Sequence, residues 1–294
     1  MNLVATLISH PARPQISDQV IAHVEAALGR RVAVTWLQPG VACDIALDEA
    51  ERTAFEAVAP RLHEGGIDLA FQDQDKRRKS VLIADMDSTM IEQECIDELA
   101  DMIGVKDRVA AITARAMRGE IAFEPALRER VGLLKGLPLS VIDAVVADRI
   151  TLRSGGRELV QTMRAHGGYT ALVSGGFTIF TSRIAHRLGF DENRANTLLT
   201  ENDALSGLVE EPILGSEAKI IALQEICKMR GISEQDAMAI GDGANDLGMI
   251  RLAGSGVAVH AKPKVAAEAD FSISHGDLTA LLFLQGYTRQ DFVA

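Results

Sequence analysis

From about residue 151 onward the chain alternates short apolar runs with stretches of helix-type spacing, and this alternation constrains the fold more than any other feature. YTALVS, AMAIGD, GVAV and FSIS read as strands; GRELVQTMRAHG, FTIFTSRIAHRLG, EAKIIALQEICKMRG, NDLGMIRLAG, KVAAEA and DLTALLFLQG read as helices among them. The apolar run VLIAD (81–85) adds an earlier strand of the kind that is buried on both faces. Strands separated by helices cannot pair as hairpins. The expectation is therefore an α/β fold, a doubly wound parallel sheet with helices on both faces, in which ligands bind at the carboxyl ends of the strands. The stretch between FTIFTSRIAHRLG and EAKIIALQEICKMRG carries no clear period and reads as irregular.

Two other regions break the alternation. Between the first strand and residue 151, four helical segments succeed one another, IEQECIDELADMIG, DRVAAITARAMRG, FEPALRERVGLLKG and LSVIDAVVADRI, with Gly104, Gly119 and Gly136 at the breaks. They form a helical cap insert at about 92–150. The first 76 residues read as a small α+β unit: strand NLVATLIS, a helix over 17–28 after Ser17, strand RVAVTWL, strand CDIALD, a helix over EAERTAFEAVAPRLH, and strand IDLAFQ. That βαββαβ order is the ferredoxin-like plan. The charged stretch QDQDKRRKS (72–80) reads as a solvated linker to a second domain over 81–294. Trp36 is expected in the small core of the first unit.

Three of the strands end in chemically similar residues. DMDST stands at 85–89, SGGF at 174–177 and GDGAND at 241–246. Asp85 and Asp87 stand one residue apart and would repel unless a cation or a proton intervened. With Asp242 and Asp246 near one crevice they make a hard oxygen donor set that suits Mg2+. Ser174 and the backbone amides of Gly175 and Gly176 offer donors to phosphate oxygens, because glycine has no Cβ to block the approach. Lys219 can bring a positive charge to the same phosphate.

Composition excludes several other classes. A net charge of −11 over 294 residues argues against a broad nucleic-acid surface. No apolar run reaches the roughly 18 residues of a membrane helix, and the amino terminus lacks the layout of a signal peptide. Cys43, Cys95 and Cys227 are too widely spaced for a disulfide framework or a structural zinc site, which fits a cytoplasmic protein. None of the seven histidines falls in a motif.

DMDST, VSGG (173–176), Lys219 and GDGAND together resemble the four motifs of the haloacid dehalogenase superfamily of phosphotransferases, over about residues 81–285. Within it the chain is most similar to the phosphoserine phosphatase family, because the insert matches as well, through Glu94 and MRGEIAFEPALRERVGLLKG (117–136). The resemblance implies Asp85 as nucleophile and Asp87 as general acid and base. It implies Mg2+ held by Asp85, the backbone carbonyl of Asp87 and Asp242. Asn245 and Asp246 would play supporting parts at the phosphate, at Lys219 and around the metal. It further implies O-phospho-L-serine as substrate, its amino and carboxylate groups engaged by Glu94 and Arg130, with Met117 and Phe123 as an apolar gate. A zwitterionic amino acid does need one anionic and one cationic partner, the arginine as a bidentate fork.

Other readings stay open on the sequence alone. The same chemistry could pass the phosphoryl group to another small alcohol such as homoserine, or a non-catalytic chain could sense an amino acid. The amino-terminal unit is similar to the ACT family of amino-acid-binding domains by element order, though its loop SHPARPQ lacks the glycine usual in the ligand loop. Regulation, spacing and homodimer formation are all compatible with it.

Overall fold

The computed structural model describes residues 3–294; Asn2, which begins the first expected strand, lies outside them. The amino-terminal sheet contains β1 (Leu3–Ser9), β2 (Val34–Gln38), β3 (Ala42–Leu47) and β4 (Ile67–Asp73) in the order β2-β3-β1-β4, every neighbouring pair antiparallel. This is the ferredoxin-like arrangement expected from the element order. All seven residues of β1 are buried, although an antiparallel strand packed on one side only should alternate. The reason is that each face has its own cover. Leu3, Ala5 and Leu7 pack with Val24, Phe55 and Leu62 of the local helices, whereas Ile8 joins the core of the larger sheet.

That larger sheet contains β5 (Val81–Ala84), β6 (Tyr169–Phe177), β7 (Glu192–Asn196), β10 (Ala237–Gly241), β11 (Ser255–Val259) and β12 (Phe271–Ile273); the hairpin β8 (Leu198–Glu201) and β9 (Ala204–Val209) stands apart. Its order is β12-β11-β10-β5-β6-β7, all parallel. Period-two alternation divides its side chains between two cores. Leu82, Ala84, Met238 and Ile240 face helices Gly156–Ala165 and Thr178–Leu188, while Val81, Ile83, Ala237 and Ala239 face helix Ser216–Arg230. Both faces of the doubly wound sheet are thus covered.

The insert forms four helices, Cys95–Met102, Lys106–Met117, Phe123–Gly132 and Leu139–Asp148. Its two ends are stitched together at the sheet edge by a bridge between Ile91 and Leu152 and by the Glu92 amide donating to the Thr151 carbonyl at 3.1 Å.

Four expectations are corrected. The irregular stretch after helix Thr178–Leu188 is β7, β8 and β9, and β9 lies beside the insert, where the Gly136 amide donates to the Leu205 carbonyl at 2.8 Å. The single helix expected after residue 48 is three short pieces, Glu49–Glu51, Arg52–Glu56 and Ala59–Glu64, the last with Pro60 in its first turn, which has no N–H to continue the helix behind it. Trp36 is 38% exposed on the edge strand β2 instead of buried. The linker is no solvated joint: Arg77 bonds the buried Asp44 at 2.7 Å, Arg78 stacks 3.3 Å over Tyr287, and Lys79 donates to the Gln235 carbonyl at 2.8 Å. These cations fasten one sheet to the other.

Candidate active site

β5 and its neighbours β10 and β6 end at the same edge of the sheet, which brings DMDST, GDGAND and SGG together. The Asp85 amide still pairs with the Ile240 carbonyl at 3.0 Å, so Asp85 extends β5 by one residue. The chain then turns. Met86 is buried in the core, the amides of Thr89, Met90 and Ile91 all donate to its carbonyl, and Ser88 adopts a left-handed conformation at φ 57°. A non-glycine residue there costs conformational energy. Arg153 holds the turn from outside, donating to the carbonyls of Thr89 at 2.9 Å and Ser88 at 2.8 Å.

At the floor, the ammonium of Lys219, 2% exposed, lies 2.7 Å from Asp85 and 2.5 Å from Asp246. Asp246 is fully buried and also accepts from the Gly243 amide at 2.9 Å. A Cβ at Gly241 would collide with the Asp246 carboxylate, so glycine is what lets this side chain reach Lys219. Burial works against the charge on Lys219, but the two adjacent carboxylates outweigh it and its pKa is raised. Burial pushes Asp85 up to about 7 although Lys219 pulls it down. One ammonium cannot neutralise two buried carboxylates.

Asp242, steered by the Thr89 hydroxyl at 2.9 Å, completes a group in which Asp85, Asp242 and Asp246 each offer an oxygen, all within 4.8 Å of one another. Three hard donors with negative charge in excess fit a divalent cation of the Mg2+ kind. Asp246 already spends its carboxylate on Lys219 and the Gly243 amide, so Asp85 and Asp242 are the freer donors.

The roof of the cleft comes from β6. The Ser174 hydroxyl, 4% exposed, accepts the Gly176 amide at 2.9 Å. A Cβ on Gly176 would stand 3.1 Å from that hydroxyl and 3.3 Å from Asp87 Oδ2, in the space between them. Opposite, Asp87 Oδ1 is buried with no hydrogen-bond partner. An orphaned buried carboxylate oxygen costs free energy, and its pKa is raised well above the ordinary value by burial, with Glu94 and Asp85 adding repulsion. Both causes favour the neutral carboxylic acid at Asp87, the form a proton donor needs.

The insert supplies the rim. Glu94 is open to solvent and accepts the Ser88 hydroxyl at 2.7 Å. Arg130 is half-buried and makes only long contacts, to the Ala126 carbonyl at 3.3 Å and to Thr113 at 3.5 Å; among the described residues it forms no ion pair, and burial lowers its pKa although Asp97 and Glu94 partly offset this. Phe123 reaches over the SGG end of β6, its ring 3.5 Å from where a Cβ of Gly175 would be. Met117 is 70% exposed at the end of its helix, and Asn245 is exposed 3.5 Å from Asp246.

Three positioning residues were not legible in the sequence. Asn196, 2% exposed, donates to the carbonyls of Gly175 and Leu214 and accepts the Leu214 amide, which ties SGG to the start of the Lys219 helix. Arg153 and Asp97 act through backbone carbonyls and through space. None of the three carries a local motif, so only the fold reveals them.

A central parallel strand ending in two aspartates, a buried lysine shared with a third, and a serine beside glycine amides define a class. The chain belongs to the haloacid dehalogenase-like hydrolase family, whose model matches residues 82–251. Within that family it is a phosphatase. It is 44% identical to the phosphoserine phosphatase of Haemophilus influenzae over 224 residues, 76% of this chain and 71% of the relative. Two solved structures match along almost the whole length. A haloacid dehalogenase family hydrolase from Salmonella enterica serovar Typhi has a TM-score of 0.85 at 30% identity, covering 97% of this chain and 98% of that one. A probable phosphoserine phosphatase from Vibrio cholerae, in unliganded form, has a TM-score of 0.82 at 30% identity, covering 99% and 88%.

Proposed function

We propose that the chain hydrolyses O-phospho-L-serine to L-serine and phosphate through an aspartyl phosphate on Asp85. The observation that carries this reading is the pairing of Asp85, 2.7 Å from the Lys219 ammonium, with Asp87 two residues on, whose Oδ1 is buried without a partner and whose pKa is raised by burial. In the first half, a carboxylate oxygen of Asp85 forms a bond to phosphorus while the bond from phosphorus to the seryl oxygen breaks, and Asp87 gives that oxygen its proton. In the second half, Asp87 takes a proton from water, whose oxygen attacks phosphorus and releases phosphate from Asp85. Lys219, Ser174 and the amides of Gly175 and Gly176 offset charge on the transferring group throughout. Bound Mg2+, held by Asp85, Asp242 and the Asp87 carbonyl, would supply further charge neutralisation. Asn245 would contact the phosphate, and Asp246 would hold Lys219.

Substrate choice rests on the rim and on the relatives. The unpaired guanidinium of Arg130 suits a carboxylate and Glu94 suits an ammonium, with Phe123 and Met117 screening the cleft. The reaction would close a route of serine synthesis in the cytoplasm. For the amino-terminal unit, residues 1–76, we infer a regulatory or homodimer-forming role, with the exposed edge at Trp36 as the surface available for it.

The test is phosphate release from O-phospho-L-serine with Mg2+ and with EDTA, beside phosphothreonine, phosphoethanolamine and p-nitrophenyl phosphate. Fast, metal-dependent release selective for phosphoserine is expected. Release from p-nitrophenyl phosphate alone would overturn the substrate, and phosphoryl transfer to homoserine in place of water would overturn the hydrolytic step.

A further inference from the structure

A second cluster of ligating side chains, separate from Asp85, Asp242 and Asp246, lies between the two sheets. His63 comes from helix Ala59–Glu64, Asp68 from β4 and His275 from the loop after β12. Each offers one ligand atom, and these atoms all lie within 4.8 Å of one another. The two imidazole rings have centres 4.4 Å apart and are tilted 57° to each other. We propose that His63, Asp68 and His275 form a binding site for a zinc-class divalent cation that clasps the amino-terminal sheet to the catalytic half.

Three observations support a cation over a set of internal hydrogen bonds. His275 Nε2 is buried and has no hydrogen-bond partner, which leaves a donor or acceptor unsatisfied in the interior. His63 Nδ1 stands 3.9 Å from Asp68 Oδ1, beyond hydrogen-bond reach, so that nitrogen is not committed to the carboxylate. Asp68 itself is 1% exposed, and among the described residues its only ion-pair partner within 4.0 Å is His63. Its oxygens instead accept the amides of Ser274 at 3.0 Å, His275 at 2.9 Å and Gly276 at 2.8 Å. Those three bonds leave lone-pair capacity on the carboxylate and fix its orientation, as the outer partners of a metal ligand do.

The donor types select the metal. Two imidazoles and a carboxylate suit zinc, which takes ligands at about 2.0–2.2 Å in a tetrahedron and accepts water as the fourth. Ligand atoms on such an ion stand roughly 3.3 Å apart, so binding requires the cluster to draw together. His63, with 54% of its side chain exposed, is free to move. The clasp would also steady the turn at 274–277, whose Asp277 accepts the Ser154 hydroxyl at 2.7 Å, next to the Arg153 that grips the nucleophile turn.

The test uses the full chain, stripped by chelator, returned to excess Mg2+ and dialysed against Zn2+, beside His63→Ala and His275→Gln. His63 is largely exposed, so its replacement leaves the core intact. The wild type is expected to carry one zinc per chain more than either variant, with affinity at this site about 100-fold higher or more, and added zinc should raise its thermal midpoint by more than that of His63→Ala. Any zinc taken up at Asp85 and Asp242 is common to all three proteins and cancels. Equal zinc content in the wild type and His63→Ala would overturn the proposal, as would an equal thermal response.

Discussion

Buried aspartates serve opposite ends in the two sheets. In the parallel sheet, Asp85 and Asp246 compete for one ammonium and are left with excess charge beside an open cleft. In the antiparallel sheet, Asp44 is satisfied by Thr6 at 2.7 Å and by Arg77 at 2.7 Å, and Asp68 takes three amides. Topology explains the division. Parallel strands deliver all their carboxyl ends to one edge, where polar groups accumulate, whereas antiparallel neighbours alternate direction and disperse them. The acids of the amino-terminal sheet serve the joint between the halves, and those of the larger sheet face the cleft.

The contrast can be broken at several points. The largest effect is expected for Asp85→Asn, which should lower kcat by at least about 10³-fold with the far-ultraviolet circular dichroism unchanged; appreciable Mg2+-dependent turnover in that variant would remove Asp85 as nucleophile. Arg130→Ala should reduce kcat/KM for phosphoserine by about 100-fold, or roughly 3 kcal/mol of lost charge-assisted bonding, but that for p-nitrophenyl phosphate far less. Equal losses on both substrates would mean the rim does not read the serine moiety. On the joint side, Arg77→Ala strands a buried Asp44 and should cost about 3 kcal/mol in urea unfolding while the cleft keeps its chemistry. If that variant lost activity without losing stability, the two halves would be coupled in a way this division does not allow. Trp36→Ala is expected to change monomer stability by no more than about 0.5 kcal/mol and kcat hardly at all; sedimentation should show any self-association weakened.

Much of the larger sheet could be read from the chain, because parallel buried strands and amphipathic helices have different periods. VLIAD, YTALVS and AMAIGD are neighbouring strands, and the polar groups at their ends lie along one edge. The features that escape have a common physical reason. β7, ENRAN, is a polar edge strand, covered by β6 on one side only, so it lacks the apolar run that marks β5. The basic stretch at 76–79 looks solvated because its partners, Asp44, Tyr287 and Gln235, are remote in the chain. Asn196 and Arg153 likewise act through bonds to backbone carbonyls, which leave no trace in residue spacing. The place of Trp36 is not fixed by its sequence context, because a large aromatic in an alternating strand suits either face.

The stitched ends of the insert have a wider meaning. Since Ile91 pairs with Leu152 and Arg153 grips the turn at Ser88, everything between enters and leaves the sheet at a single point. The four helices are in effect a cassette on a common mount. Another segment of different length or shape could occupy that mount without disturbing Asp85 or Lys219, so a lineage could exchange what it recognises while keeping the reaction it performs.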